Sequence, residues 1–392
     1  MSIFRYIVPA LAVAAGAAAQ CGNGGTATIQ NSGDASALAS CQTYDGSIAI
    51  ATDVSGNIAI DGVRKITGDL IANNVTGLTG LSAQNLQEVE GSFELTSLTV
   101  LTSLNFPVLT KLDTISWITL PALQGLSFTT GVQELNGLEI SDTELSSLDG
   151  INLEVADTII VTNNRYLTSI NMQLGNVTDS IILGANSKDL VIEFPNLIWA
   201  NNMTISNCSE FTAQSLETVN GSVAFYYSTF KTLSAANLTE VGGDLTFVAN
   251  NELTNISMPM LESVGSLAIA NNSALEEVNG FASLATISGA VDFDGAFTAV
   301  ELPKLDDVRG AFTIVSSKSI NETCSTFDGL QGENNVIKGD YLCQGETETS
   351  TSDQDGTSTG NKPKKSSGAA NPMLIPGATG VLGLFAAMFG LL

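Results

Sequence analysis

"GDLTFVANNELTNI" (Gly243–Ile256) returns 22 residues later as "GSLAIANNSALEEV" (Gly265–Val278). Glycine falls over glycine, Leu245 over Leu267, Asn250 over Asn272 and Leu253 over Leu275. A fixed period in this range marks a chain built from stacked repeats. The same frame starts at Gly46, Gly68, Gly91, Asp113, Asn136, Asp157, Asp179, Asn201, Gly221, Gly243, Gly265, Gly289 and Gly310, at intervals of 20 to 24 residues. Every start is Gly, Asn or Asp. These residues best tolerate a left-handed backbone, so each start is expected at a tight corner.

Two residues after each start stands one apolar side chain, and four residues after it another. Leu245 and Phe247, Leu267 and Ile269, and Val291 and Phe293 are examples, and the rule holds through all thirteen repeats. A spacing of two puts both on one face of a strand. No repeat can bury such a pair alone, so the coils must stack. "LTNI", "LEEV" and "FTAV" supply a second strand, and "MPMLESV" and "LPKLDDV" lead to the next start. The expected fold is all-β: a right-handed parallel β-solenoid of about 13 coils of roughly 22 residues over 20–343. A two-lobed version divided near "SSLDGINLEV" is the alternative. At the parallel strand spacing, thirteen coils make a rod roughly 60 Å long. Asn164, Asn186, Asn250 and Asn272 each lie seven residues after a start. Stacked at a bend, such side chains can bond each other and the backbone groups orphaned there. Trp117 falls in an inward column and belongs to the core.

A solenoid has two open ends that invite edge-to-edge pairing. "NSGDASALASC" before Cys41 fits a short N-terminal capping helix with Asp34 or Ser32 as its N-cap. Cys21 and Cys41 bracket the start of the repeats, Cys324 and Cys343 their end, and Cys208 stands alone between them. In an exported chain the spacing favours two local bridges, one closing each end, with Cys208 as a buried free thiol. Spacing by itself leaves other pairings open.

The chain opens "MSIFRYIVPALAVAAGAAAQC", a basic residue, an apolar run and small residues, which is the pattern of a signal peptide over 1–19. It closes with small residues (Ser366–Ala370), a spacer, and the uncharged tail Val381–Leu392. That order is the signal for a glycosylphosphatidylinositol (GPI) anchor, with Gly368 as attachment residue and Ser367 as alternative, and 368–392 as site, spacer and removed tail. Residues 344–367 are rich in Ser and Thr without apolar periodicity, as expected of a stalk. Asn-x-Ser/Thr sequons at Asn74, Asn176, Asn202, Asn207, Asn220, Asn237, Asn255, Asn271 and Asn321 are expected N-glycosylation sites.

With 14 Lys and Arg against 40 Asp and Glu, the net charge is −26. That balance argues against nucleic acid as a partner. The sequence holds no histidine, which removes Ser–His–Asp and Cys–His nucleophiles, histidine metal sites and a histidine general base. No metal and no cofactor is implied. A glycoside hydrolase would need carboxylates converging at fixed separation. The candidates, Asp292 with Asp294 and Asp306 with Asp307, sit at ordinary outward or turn positions, so no enzymatic activity is expected.

"CGNGGTATIQNSGDASALASCQTYDGSIAI" resembles the start of a receptor L-domain, a leucine-rich-repeat-like solenoid whose first strand follows a disulfide-bounded helical cap. With "LPALQGL", "ANNELTNISMPMLESVGSLAIANN", the acidic stalk and the anchor signal, the whole chain resembles fungal GPI-anchored cell-wall organisation proteins of the extracellular mutant protein 33 type, related to sporulation-specific wall proteins. The resemblance implies a non-enzymatic glycoprotein on the outer face of the plasma membrane, partly in the wall, supporting wall integrity and assembly. Its implied partners are the membrane, through the lipid, and wall glucan or mannoprotein. In similar proteins basic residues such as "KPKK" before the anchor site favour retention at the membrane. The alternative is a lectin-like or receptor-like module binding a wall polysaccharide or protein partner. For that reading "FYYSTF" (Phe225–Phe230) offers Tyr226 and Tyr227 as an aromatic platform. Ile160 and Ile182 offer an apolar strip at an outward position that is mostly small, polar or acidic elsewhere, with Asn176 and Asn202 expected at flanking corners.

Overall fold

The computed structural model describes residues 20–331 and 336–346. Within them the chain is a parallel β-solenoid. Successive strands pair one repeat apart: Leu245 lies beside Leu267 and Phe247 beside Ile269, then Leu267 beside Val291 and Ile269 beside Phe293. All of these side chains are buried. The inward columns form one continuous core, in which aromatic rings of neighbouring coils touch: Phe225 stacks on Phe247 at 5.5 Å and Trp117 meets Phe93 edge-on at 5.6 Å. Burial is cumulative, because each coil covers the pair below it and is covered by the next.

The starts are not corners. In most coils they lie inside a strand of the broad sheet, as in Glu240–Val248 and Ser263–Ala270. There the register slips between Val241 and Asp244, which is a β-bulge. Small residues are needed for close approach: a Cβ on Gly265 would stand 2.5 Å from the Gly243 carbonyl oxygen. The left-handed turn comes six residues after the start. Asn74, Ser97, Thr119, Asp142, Asn163, Ala185, Asn207, Tyr227, Ala249 and Asn271 all have φ between 49° and 58°. Half of these residues carry side chains poorly suited to that conformation. The stacked geometry imposes the bend whatever residue occupies it.

Directly after this corner runs a buried polar ladder. Asn164 Oδ1 accepts from the Thr143 amide (3.1 Å), and Asn186 Oδ1 accepts from the Asn164 amide (3.0 Å). Ser228 and Asn250 donate their amides in the same way to Asn250 and Asn272. Cys208 occupies the same position between the two halves, its amide and thiol both near Ser228 Oγ. It is fully buried and unbridged.

The second strands form narrower sheets of four, three, two and two strands. They lapse between Leu126–Ser127 and Ser169–Asn171, the region around "SSLDGINLEV". The broad sheet continues through it, Gly137 beside Thr158 and Ile140 beside Val161, so the two-lobed alternative fails. Weak second-strand signal marks a gap in the narrow side only.

Both ends carry more than the sequence suggests. Gln20–Ile29 is itself a strand, parallel to Thr43–Ile50, and precedes the helix Ser32–Ala37. The N-cap of that helix is Asn31, neither Ser32 nor Asp34. Asn31 Oδ1 accepts from the Gly33 and Asp34 amides, and Asp34 turns back to accept from the Gln30 amide. At the other end a second helix, Asn321–Asp328, and a final strand, Tyr341–Gln344, cover the last coil. Cys21 bridges Cys41 and Cys324 bridges Cys343, tying each cap to its end. The Glu346 amide still donates to the Lys318 carbonyl at 3.0 Å. The expected signal peptide, most of the expected stalk and the expected anchor region lie outside the described residues.

Candidate functional site

In-register stacking turns each outward position into a column along the broad sheet. Three residues after the start, the column runs Glu139, Ile160, Ile182, Thr204. Ile160 and Ile182 are adjacent; Ile160 is half-buried and Ile182 is 37% exposed, so no loop among the described residues buries the pair. A third isoleucine, Ile71, holds the same position between Ala49 and Glu94. It escaped the sequence pattern because neither neighbour is a large apolar residue.

Just before the bulge runs a second outward column: Lys65, Glu88, Lys111, Glu134, Val155, Asn176, Trp199, Thr218, Glu240. Its first part is a ladder of alternating charge, with Lys65 3.2 Å from Glu88 and Lys111 3.3 Å from Glu134. The Glu90 carboxylate, then that of Glu88, raises the pKa of the Lys65 ammonium. At Val155 the column turns apolar. Val155 is 57% exposed, Ile198 beside Trp199 is 47% exposed, and Trp199 is half-buried. Nothing in any one repeat signals this column, because the bulge shifts its register relative to the start.

The sequon asparagines fall at several points of the coil. Asn74, Asn207 and Asn271 occupy the left-handed corner. Asn176 and Asn202 do not sit at corners: both lie within strands of the broad sheet (Asn176–Gly184 and Trp199–Ser206), facing out. All nine are exposed except Asn207, which is half-buried. Tyr226 and Tyr227 do not form one platform. Tyr226 is half-buried on the sheet beside Ser206 and Val248, and burial, then the nearby Asp244 charge, pushes its phenol pKa up. Tyr227 is 63% exposed at the corner.

Asp292 and Asp294 both face outward, side by side on one strand rather than across a gap; partial withdrawal from water, then the Asp294 charge, pushes the Asp292 carboxyl up. Asp307 accepts from Lys338 Nζ (2.5 Å) and Arg309 Nε (2.9 Å), which in that order hold its carboxyl below the usual range. Glu144 is lowered in the same way by Arg165, 2.7 Å away. A general acid needs a raised pKa facing an ionised partner across a substrate-sized gap. Two open depressions, one by Asn251, Asn271 and Asp294, the other by Glu88, Lys111 and Glu134, present no such pair. Among the described residues no three His, Cys, Asp or Glu side chains gather as metal ligands. Cys208 is a poor nucleophile: burial pushes its thiol up to about 11.

Residues 1–39 match a family described as "Ecm33: GPI-anchored cell wall organization protein". The chain is 39% identical to "Protein ecm33" of Aspergillus fumigatus over 91% of its own length and 89% of that protein. It is 40% identical to a "Cell surface GPI-anchored protein" of Arthroderma benhamiae over 88% of each. It is 33% identical to "Sporulation-specific protein 2" of Saccharomyces cerevisiae over 79% of this chain and 62% of that one. No solved structure matches. Similarity at this level, spread over nearly the whole solenoid, establishes that the chain belongs to the Ecm33 family of GPI-anchored cell wall organization proteins.

Proposed function

We propose that this protein is a GPI-anchored surface glycoprotein that organises the fungal cell wall without catalysing a reaction. The observation that carries the reading is the unbroken parallel stack in a chain of this family. Its core is committed to holding coils together, and among the described residues no carboxylate is fully buried. Such a body presents a long, acidic, sugar-decorated surface, suited to spacing and contact with wall polymers. The names of two relatives, a "Cell wall protein ecm33" and a "Cell surface GPI-anchored protein ECM33", agree with this.

In this reading a leader over 1–19 sends the chain to the surface. Residues 344–367 lift the body from the membrane, and the lipid joins at Gly368, or at Ser367. The nine sequons carry glycans, and "KPKK" keeps most molecules at the membrane. Wall glucan and mannoprotein are the partners the surface would meet.

Three measurements test it. Phosphatidylinositol-specific phospholipase should release most of the protein from cells; release only by glucanase would overturn the membrane assignment. A copy lacking residues 368–392 should be secreted and fail to rescue wall-stress sensitivity in a strain without the gene. Turnover of wall glucan by the pure protein would refute the non-catalytic reading.

A further inference from the structure

The column just before the bulge places one sequon between two apolar side chains. Val155 pairs with Asn176 and Asn176 with Trp199, each one strand spacing of about 4.8 Å apart. Before them the column carries Lys65, Glu88, Lys111 and Glu134, and after them Thr218 and Glu240. Only here does it change character. The change leaves Val155 57% exposed and Trp199 half-buried, and Ile198, which precedes Trp199 in the chain, is 47% exposed.

We propose that the N-linked glycan on Asn176 covers this patch, its innermost N-acetylglucosamine resting on the exposed part of the Trp199 ring. The apolar face of a pyranose packs on an aromatic face, and a sugar fixed one strand spacing away pays little entropy to reach it. The Asn176 carboxamide makes no hydrogen bond among the described residues, whereas Asn237 Nδ2 donates to the Gln214 carbonyl at 2.8 Å and Asn202 Oδ1 accepts from the Ser222 amide at 3.0 Å. Its amide is therefore at liberty to orient a substituent. In the modification, Nδ2 loses one proton and bonds C1 of the sugar, while the C1–oxygen bond to a lipid pyrophosphate donor breaks. A protein partner is the less fitting occupant, because a branched glycan rising from the centre of the patch would hold a flat surface away.

Tryptophan fluorescence tests this, since the chain has two tryptophans and Trp117 is fully buried. The secreted chain is trimmed with the endoglycosidase that leaves one N-acetylglucosamine per site, and quenching by acrylamide, a neutral probe indifferent to the acidic surface, is measured. Asn176→Gln and Thr178→Ala, which both abolish the sequon, should be quenched roughly twofold more efficiently than trimmed wild type, as one indole face is uncovered. Mass spectrometry showing Asn176 unmodified overturns the proposal. So does equal quenching in all three proteins, including the case in which sedimentation shows a second copy shielding Trp199 in each of them. Trp199→Thr should leave glycan occupancy unchanged and remove the quenching difference; loss of occupancy instead would also refute the stack.

Discussion

Replacing Asn250 by alanine tests whether the buried polar ladder holds the corners together. Asn250 is fully buried. Its Oδ1 accepts from the Ser228 amide at 3.0 Å, and its Nδ2 donates to the Phe225 carbonyl at 3.0 Å and to Asn272 Oδ1 at 3.2 Å. Alanine removes all three bonds and leaves the Ser228 N–H buried with no acceptor. An orphaned buried donor costs about 1–3 kcal/mol, and each lost bond with a still-satisfied partner somewhat less. The expected loss is therefore about 3 kcal/mol. For a cooperative body of this size that is roughly a 4 °C fall in melting temperature. Because solenoids open locally, hydrogen exchange followed by mass spectrometry is the sharper assay: peptides covering the corner at Ser228 should exchange roughly a hundredfold faster. In three earlier coils the equivalent position is apolar (Val75, Leu98 and Leu120), and there Leu98 donates its own amide to the Thr119 carbonyl at 3.2 Å. If Asn250→Leu matches wild type in both assays, the corner re-forms by that route and the ladder is not what stabilises it.

Cys208 should resist a maleimide in the folded protein at pH 8 and react fully after denaturation, since its thiol is buried and raised to about 11; rapid native labelling would contradict the packing. Thr119 is β-branched at φ 58°, so Thr119→Asn should stabilise by about 1 kcal/mol in urea unfolding. Asp292 is pushed up by its partial withdrawal from water and then by Asp294. A raised folded pKa means stability is favoured below the carboxylate range and lost as pH rises through it. Asp292→Asn should therefore raise the melting temperature at pH 7 and leave it unchanged at pH 3; the opposite trend would refute the assigned shift.

The period of the chain determines much of this protein. Apolar residues two and four after each start can be buried only if coils stack in register, so the parallel solenoid, its core and its asparagine ladder follow from local spacing. Trp117 in the core follows from the same rule. What the sequence could not place depends on how one coil sits on the next. The starts look like corners because Gly, Asn and Asp favour corners. The stack puts a bulge there, where small size matters, and forces the left-handed turn onto Thr119, Ala185 and Tyr227, which no propensity would select. The N-cap fell to Asn31 because its carboxamide reaches the amides of Gly33 and Asp34. The added end strands likewise exist only as edges paired to a neighbour. Ile160 and Ile182 were visible because they share a position counted from the start. Val155, Asn176 and Trp199 lie before the bulge, where spacing varies from coil to coil. Their adjacency is a property of register between strands, and only the tertiary structure fixes register.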